Sequence, residues 1–268
     1  MPASDLHTYL SSLLVTDRQG LVFLYQTVLG EGEATMEEMV GALARHVASS
    51  GRSAPAGLRH WLDNPMSLSP KLLARVIRLS GFYRDEEVVD PLRGVLSNKA
   101  LAAVHPAAVR SVALVLGVQA ATELSQMLWA TPVAQWHVRE TAILEELGVL
   151  GWASSVDDLI RALGVPYDTP VRAAAGALAR YDVDEVLPRL TDLMDSSDSV
   201  RQQAGAAQAL GLLGDARAVP TLQRILPRQG LSPIVGCAAA LALARLGDSS
   251  AERPLHQLGR QDNGHEGA

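Results

Sequence analysis

The chain has 268 residues, 48% of them hydrophobic but only 4% aromatic, with a formal net charge of −6 and a pI of about 5.6. That is enough apolar material for a large core, and the excess of Ala and Leu over aromatic residues predicts an all-α fold. The acidic balance counts against nucleic-acid binding, which usually shows a basic stripe, and a single cysteine, Cys237, excludes an intrachain disulfide and fits a reducing compartment.

The N-terminal MPASDLHTYL has neither the basic nor the apolar region of a signal peptide. No uncharged apolar run reaches the roughly 18 residues that suggest a membrane span. A soluble, cytoplasmic protein is expected, with no membrane partner. Residues 1–69 read as helical, in DLHTYLSSLL, RQGLVFLYQTVL and MEEMVGALARHV, with apolar residues at three-to-four spacing. Thr35 and Glu38 form a capping-box pattern before the third of these. GEGEA and SSGRSAPAG read as turns or short links. This block is expected to be a helical N-terminal cap, or a small helical module of its own.

From residue 70 a repeat emerges. The pattern apolar-x-x-Leu-x-x-apolar-apolar runs through Val89–Leu96, Ala121–Leu128, Val156–Leu163, Leu187–Met194 and Val219–Leu226, and shortens to Leu255-x-x-Leu258. The anchor leucines are Leu92, Leu124, Leu159, Leu190, Leu222 and Leu255, spaced by 32, 35, 31, 32 and 33 residues. A second landmark keeps the same phase. Gly151, Asp182, Gly214 and Gly247 each stand eight residues before an anchor, and Gly117 stands seven before. Each unit reads as a small, Ala-rich first helix, a corner, and an amphipathic second helix. Glycine is expected to end the first helix in a left-handed conformation. Pro220 sits early in a second helix, where a missing N–H costs nothing, and Pro188 is expected to match it. A helix pair of this size cannot bury its apolar face alone, so the pairs must stack. About six repeats are predicted, at 70–97, 106–130, 135–163, 169–194, 198–226 and 232–258. The polar tail 259–268 is expected to be disordered.

The stretch VRQQAGAAQALGLLGDARAVPTLQRIL, residues 200–226, resembles the HEAT-like repeat named after the phycobilisome lyases. The features that carry the resemblance are Val-Arg, an Ala-rich helix, Leu-Gly-Asp and Ala-Val-Pro-x-Leu. It implies a bacterial protein with a right-handed α-solenoid of stacked antiparallel helix pairs, whose second helices line the concave face. It also raises tetrapyrrole handling, although the repeat occurs in many unrelated proteins.

The chemical motifs weigh less than the repeat. Gly211-x-x-Gly214-Asp215 could cradle a phosphate, but no Lys-Ser/Thr follows it and the same corner recurs at the structural period. Cys237 lies in GCAAALALARL, without the nearby base or electropositive setting a nucleophile needs. The seven histidines, His7, His46, His60, His105, His137, His256 and His265, form no close ligand pair. Glu145-Glu146 and Asp157-Asp158 are adjacent acids, which point in different directions on a helix. No catalytic residue, cofactor or metal is therefore expected.

Positions one before each anchor are Pro91, Glu123, Asp158, Arg189, Thr221 and Pro254. Two after are Gly94, Gln126, Arg161, Asp192, Arg224 and Gln257. These should face the groove, and their signs are mixed. Phosphate contact needs a row of Lys or Arg, whereas the chain has two lysines, Lys71 and Lys99, and scattered arginines. Trp129, Trp136 and Trp152 fall close together among acids. They are either hot-spot anchors for a basic partner or fillers of an irregular stack. The expectation is a non-enzymatic scaffold or adaptor that binds another protein through the second helices, using Trp129, Trp136, Trp152, Asp158, Arg161, Arg189, Asp192 and Arg224. No nucleic-acid or small-molecule partner is expected. The alternatives are an enzyme subunit related to the bilin lyases and a HEAT-like nucleic-acid-binding protein.

Overall fold

Twelve α-helices and several single 3-10 turns occupy the described residues of the computed structural model, 56–83, 85–226, 232–252 and 254, and no strand occurs among them. The three helices expected within residues 1–55, the anchors Leu255 and Leu258 and the tail lie outside the described residues. The helices are α1 (Ala56–Asp63), α2 (Pro70–Tyr83), α3 (Val89–Ser97), α4 (His105–Leu116), α5 (Gln119–Ala130) and α6 (Val138–Leu150). They continue with α7 (Val156–Ala162), α8 (Asp168–Leu178), α9 (Val183–Ser196), α10 (Val200–Leu213), α11 (Val219–Ile225) and α12 (Pro233–Arg245). From α2 onward they alternate as first and second helices of the repeat. Among the described residues upstream, α1 begins at Ala56, inside the stretch expected as a link.

The chain divides into two compact units at Ala120 and Ala121. In the first, α2 packs on α4, α3 also packs on α4, and α1 covers α2 and α3. In the second, the first helices form a row, α6 on α8, α8 on α10 and α10 on α12, and the second helices α7, α9 and α11 lie on α8, α10 and α12, the first helices of the next repeats. Lys99–Leu116 is long and apolar enough to cross a membrane by length and composition alone. It is a six-residue 3-10 segment followed by α4, whose apolar face is taken up by α2 and α3.

The anchor leucines explain the period. Leu92, Leu124, Leu159, Leu190 and Leu222 are each 0% exposed. Burying one is worth roughly 1.5–3 kcal/mol. The two flanking rows confirm the register. Pro91, Glu123, Asp158, Arg189 and Thr221 are half-buried, whereas Gly94, Gln126, Arg161, Asp192 and Arg224 are exposed.

Between helices, the glycines do the expected capping. Gly151 and Gly214 end α6 and α10 with φ of 61° and 75°, in the left-handed region. Asp215 then turns the chain by accepting the Arg217 N–H at 2.8 Å. Repeat four differs. Asp182 caps α9 directly, so this helix starts without a 3-10 turn and Pro188 falls inside it rather than at its start. The match expected between Pro188 and Pro220 therefore fails, because the corner is shorter while the anchor spacing is kept. Pro220 does sit in the first turn of α11.

Small residues in the first helices serve close packing. A Cβ placed on Gly81 would lie 2.8 Å from Ser111, one on Gly148 would lie 2.6 Å from Ala177, and one on Gly211 would lie 2.7 Å from Ala242. These are backbone-to-backbone crossings that tolerate no side chain. The Ala and Gly content thus serves helix contact as well as helix propensity.

Candidate protein-interaction surface

The three tryptophans fall at two ends of one helix. Trp129 and Trp136 meet at 5.2 Å between ring centroids, tilted by 53°. Trp136 is buried and its indole N–H donates to the Thr131 carbonyl at 3.0 Å. The Arg161 guanidinium lies over the Trp129 ring, 3.8 Å from its centroid. This cation–π contact joins the end of α7 to the end of α5. Trp152 lies beyond the opposite end of α6, about 20 Å away along a helix of 13 residues. The sequence window therefore does not assemble one aromatic patch.

Glu140 holds the start of α6. It is buried, accepts the His137 N–H at 2.8 Å as part of a capping box, and pairs with Arg139 at 2.7 Å. Burial opposes its charge, but these donors outweigh burial and hold its carboxyl below the ordinary range. Arg139 also donates to the Thr131 hydroxyl. Around Trp136, these contacts brace the 131–137 loop.

Trp152 is different. In repeats one, five and six the residue seven before the anchor is Asp85, Asp215 or Asp248, and each accepts the backbone N–H two residues on. Repeat three places Trp152 there, without a side-chain cap and 44% exposed. Val149 beside it is 53% exposed. Beneath this corner, the Tyr181 hydroxyl donates to the carbonyls of Leu147 at 2.9 Å and Trp152 at 3.3 Å. Burial pushes that hydroxyl up to about 12. The corner is thus held from below by the next repeat while its aromatic face stays in solvent.

The charged candidates divide by role. Arg189 pairs with Asp157, and Arg224 pairs with Asp195 at 2.5 Å, each bridging successive repeats. Arg217 extends the same ladder to Asp184 at 2.7 Å and to Asp215 at 2.9 Å. Arg189 and Arg224 are therefore engaged in holding the repeats in step. The hydrogen bond to Asp195 raises the Arg224 guanidinium further above its ordinary value. Asp192 projects from α9 into solvent and Asp158 is half-buried on α7. Among the described residues no group of three His, Cys, Asp or Glu could hold a metal ion.

One surface was not anticipated. Residues of α8, α10 and α12, with Val165 before them, line a groove of about 550 Å3. Its wall includes Val171, Gln208, Ile234, Cys237 and Leu241. Ile234 and Leu241 are 61% and 49% exposed. They stand seven residues apart, with Cys237 and Ala238 between them at helical spacing. That stripe was readable in PIVGCAAALAL, but it is masked there by a first helix apolar on every side.

The family model of the PBS lyase HEAT-like repeat matches residues 202–226. No curated protein sequence matches the chain. Among solved structures the chain is similar to human deoxyhypusine hydroxylase in complex with glycerol, at 17% identity and a TM-score of 0.35, covering 92% of this chain and 91% of that one. It is also similar to the complex of CpcE and CpcF of phycocyanin lyase from Nostoc sp., at 18% identity and a TM-score of 0.38, with the same coverages. Both scores lie below 0.5, so these likenesses carry nothing about activity. The matched segment spans most of α10 and all of α11, and the same helix–corner–helix unit recurs on the same leucine period, so this chain is a HEAT-like repeat protein.

Proposed function

We propose that the chain binds a partner protein along its second helices, with Trp152 at the rim as an anchor. The observation that carries this is the exposed Trp152 in a corner position that other repeats give to a capping Asp. Repeat three forgoes a helix cap, usually worth about 0.5–2 kcal/mol, and leaves a large apolar ring in water. Tryptophan is enriched among residues that dominate binding energy. Arg161, Asp158 and Asp192 supply the polar part of the surface, while Arg189 and Arg224 keep its repeats aligned. Pull-down from the native host with the wild type and with Trp152→Ala tests this. The substitution should leave the melting temperature unchanged and weaken capture about tenfold or more. Equal recovery of the same partner by both proteins rejects Trp152 as the anchor.

A second reading is a subunit of a tetrapyrrole lyase. The match of residues 202–226 to the PBS lyase HEAT-like repeat favours it over a stand-alone scaffold. In that case the partner protein would belong to a lyase complex. Incubation with a bilin, followed by absorbance spectroscopy, separates the two. A shifted bilin band supports the lyase-related reading, and an unchanged spectrum with and without the captured partner rejects it.

A further inference from the structure

The glycine crossings have a rhythm longer than the repeat. Gly81, Gly148 and Gly211 each stand eleven residues before their anchors, in repeats one, three and five. The same place in repeats two, four and six holds Ala113, Ala179 and Ala244. Each of these glycines faces Ser111, Ala177 or Ala242, thirteen residues before the next anchor. The intimate crossings therefore join repeat one to two, three to four and five to six. At the seam between repeats four and five, the corresponding positions are Ala179 and Ala209, both of which carry a methyl group.

That seam, where α8 and α9 pack on α10 and the Gln203 amide donates to the Met194 and Ser197 carbonyls, has no such glycine crossing between its first helices. One backbone approach reaches across it from repeat three: a Cβ on Gly205, near the middle of α10, would lie 2.7 Å from the carbonyl oxygen of Leu163, the residue that ends α7. On the second-helix side, two ion pairs span it, Arg217 to Asp184 at 2.7 Å and Arg224 to Asp195 at 2.5 Å. Their side chains are between 38% and 73% exposed, so dissolved salt reaches them. The apolar groove runs across the same seam, with wall residues on α8, α10 and α12.

We infer that the second unit is built from two doublets, repeats three with four and five with six, hinged at the α8–α10 seam. The Gly205–Leu163 approach is the pivot, and the two ion pairs are a salt-sensitive latch. Stacked repeats open in blocks set by their weakest interface. The weak interface here falls between doublets.

Hydrogen exchange of the full chain, followed by mass spectrometry, tests this in wild type and in Asp184→Asn/Asp195→Asn. Salt is varied from about 10 mM to about 1 M, which shortens the screening length from ~30 Å to ~3 Å. The amides of α10 and α12 should exchange with one common opening rate, distinct from that of α6 and α8. In wild type, high salt should speed the α10–α12 block about fivefold, the effect of two exposed pairs. The double variant should show the faster rate at low salt and lose the salt response. Separate opening of α10 from α12, or of α6 from α8, overturns the doublets. An unchanged α10–α12 rate in the double variant overturns the latch.

Discussion

Gly148 and Gly176 lie on facing helices, α6 and α8, and the same substitution should have opposite signs at the two sites. A Cβ on Gly148 would meet Ala177 at 2.6 Å, whereas ordinary contact begins at 3.4 Å, so the helices must part by about 0.8 Å. Forcing that into a packed interface costs about 1–3 kcal/mol. Alanine returns about 0.5–1 kcal/mol through helix propensity. Gly148→Ala should therefore destabilise by about 1–2 kcal/mol, lowering the melting temperature by about 2–6 °C. A Cβ on Gly176 would meet nothing within 4 Å. Only the propensity gain applies there, and Gly176→Ala should raise the melting temperature by about 2 °C. Circular dichroism melts at 222 nm measure both. A Gly148→Ala protein as stable as wild type, or a destabilised Gly176→Ala, would refute the close crossing of α6 and α8.

Leu222→Ala removes a fully buried anchor and should cost about 2–5 kcal/mol, with α10–α12 losing hydrogen-exchange protection before α6–α9. Unchanged protection there would contradict the register. Pro188→Ala restores an interior helix N–H and should stabilise by about 1–3 kcal/mol, read as a higher urea midpoint; a lower midpoint would show that α9 depends on its proline. Tyr181 should ionise near pH 12 in an ultraviolet titration. Because its folded value lies above the ordinary 10.0, the stability it adds is complete below pH 10 and is lost as pH rises from 10 to 12. Tyr181→Phe should abolish that loss, and a Tyr181 that titrates near 10 would contradict its burial.

The sequence alone determined the helical class, the leucine period, the glycine corners and the rows on either side of each anchor. These are local or one-dimensional properties. Helical periodicity places Leu222 and Arg224 on different sides of α11 wherever that helix is docked. Tertiary structure decided the rest, because it depends on which repeat faces which. Trp129 and Trp136 meet while Trp152 does not, since the length of α6 separates residues that are neighbours in sequence. Arg189 and Arg224 look like free groove charges in the sequence, yet their partners Asp157 and Asp195 are 32 and 29 residues away. The alternation of glycine and alanine at the first-helix crossings was printed in the chain, but its meaning was not. Only the distance between two backbones shows where an added methyl group has no room.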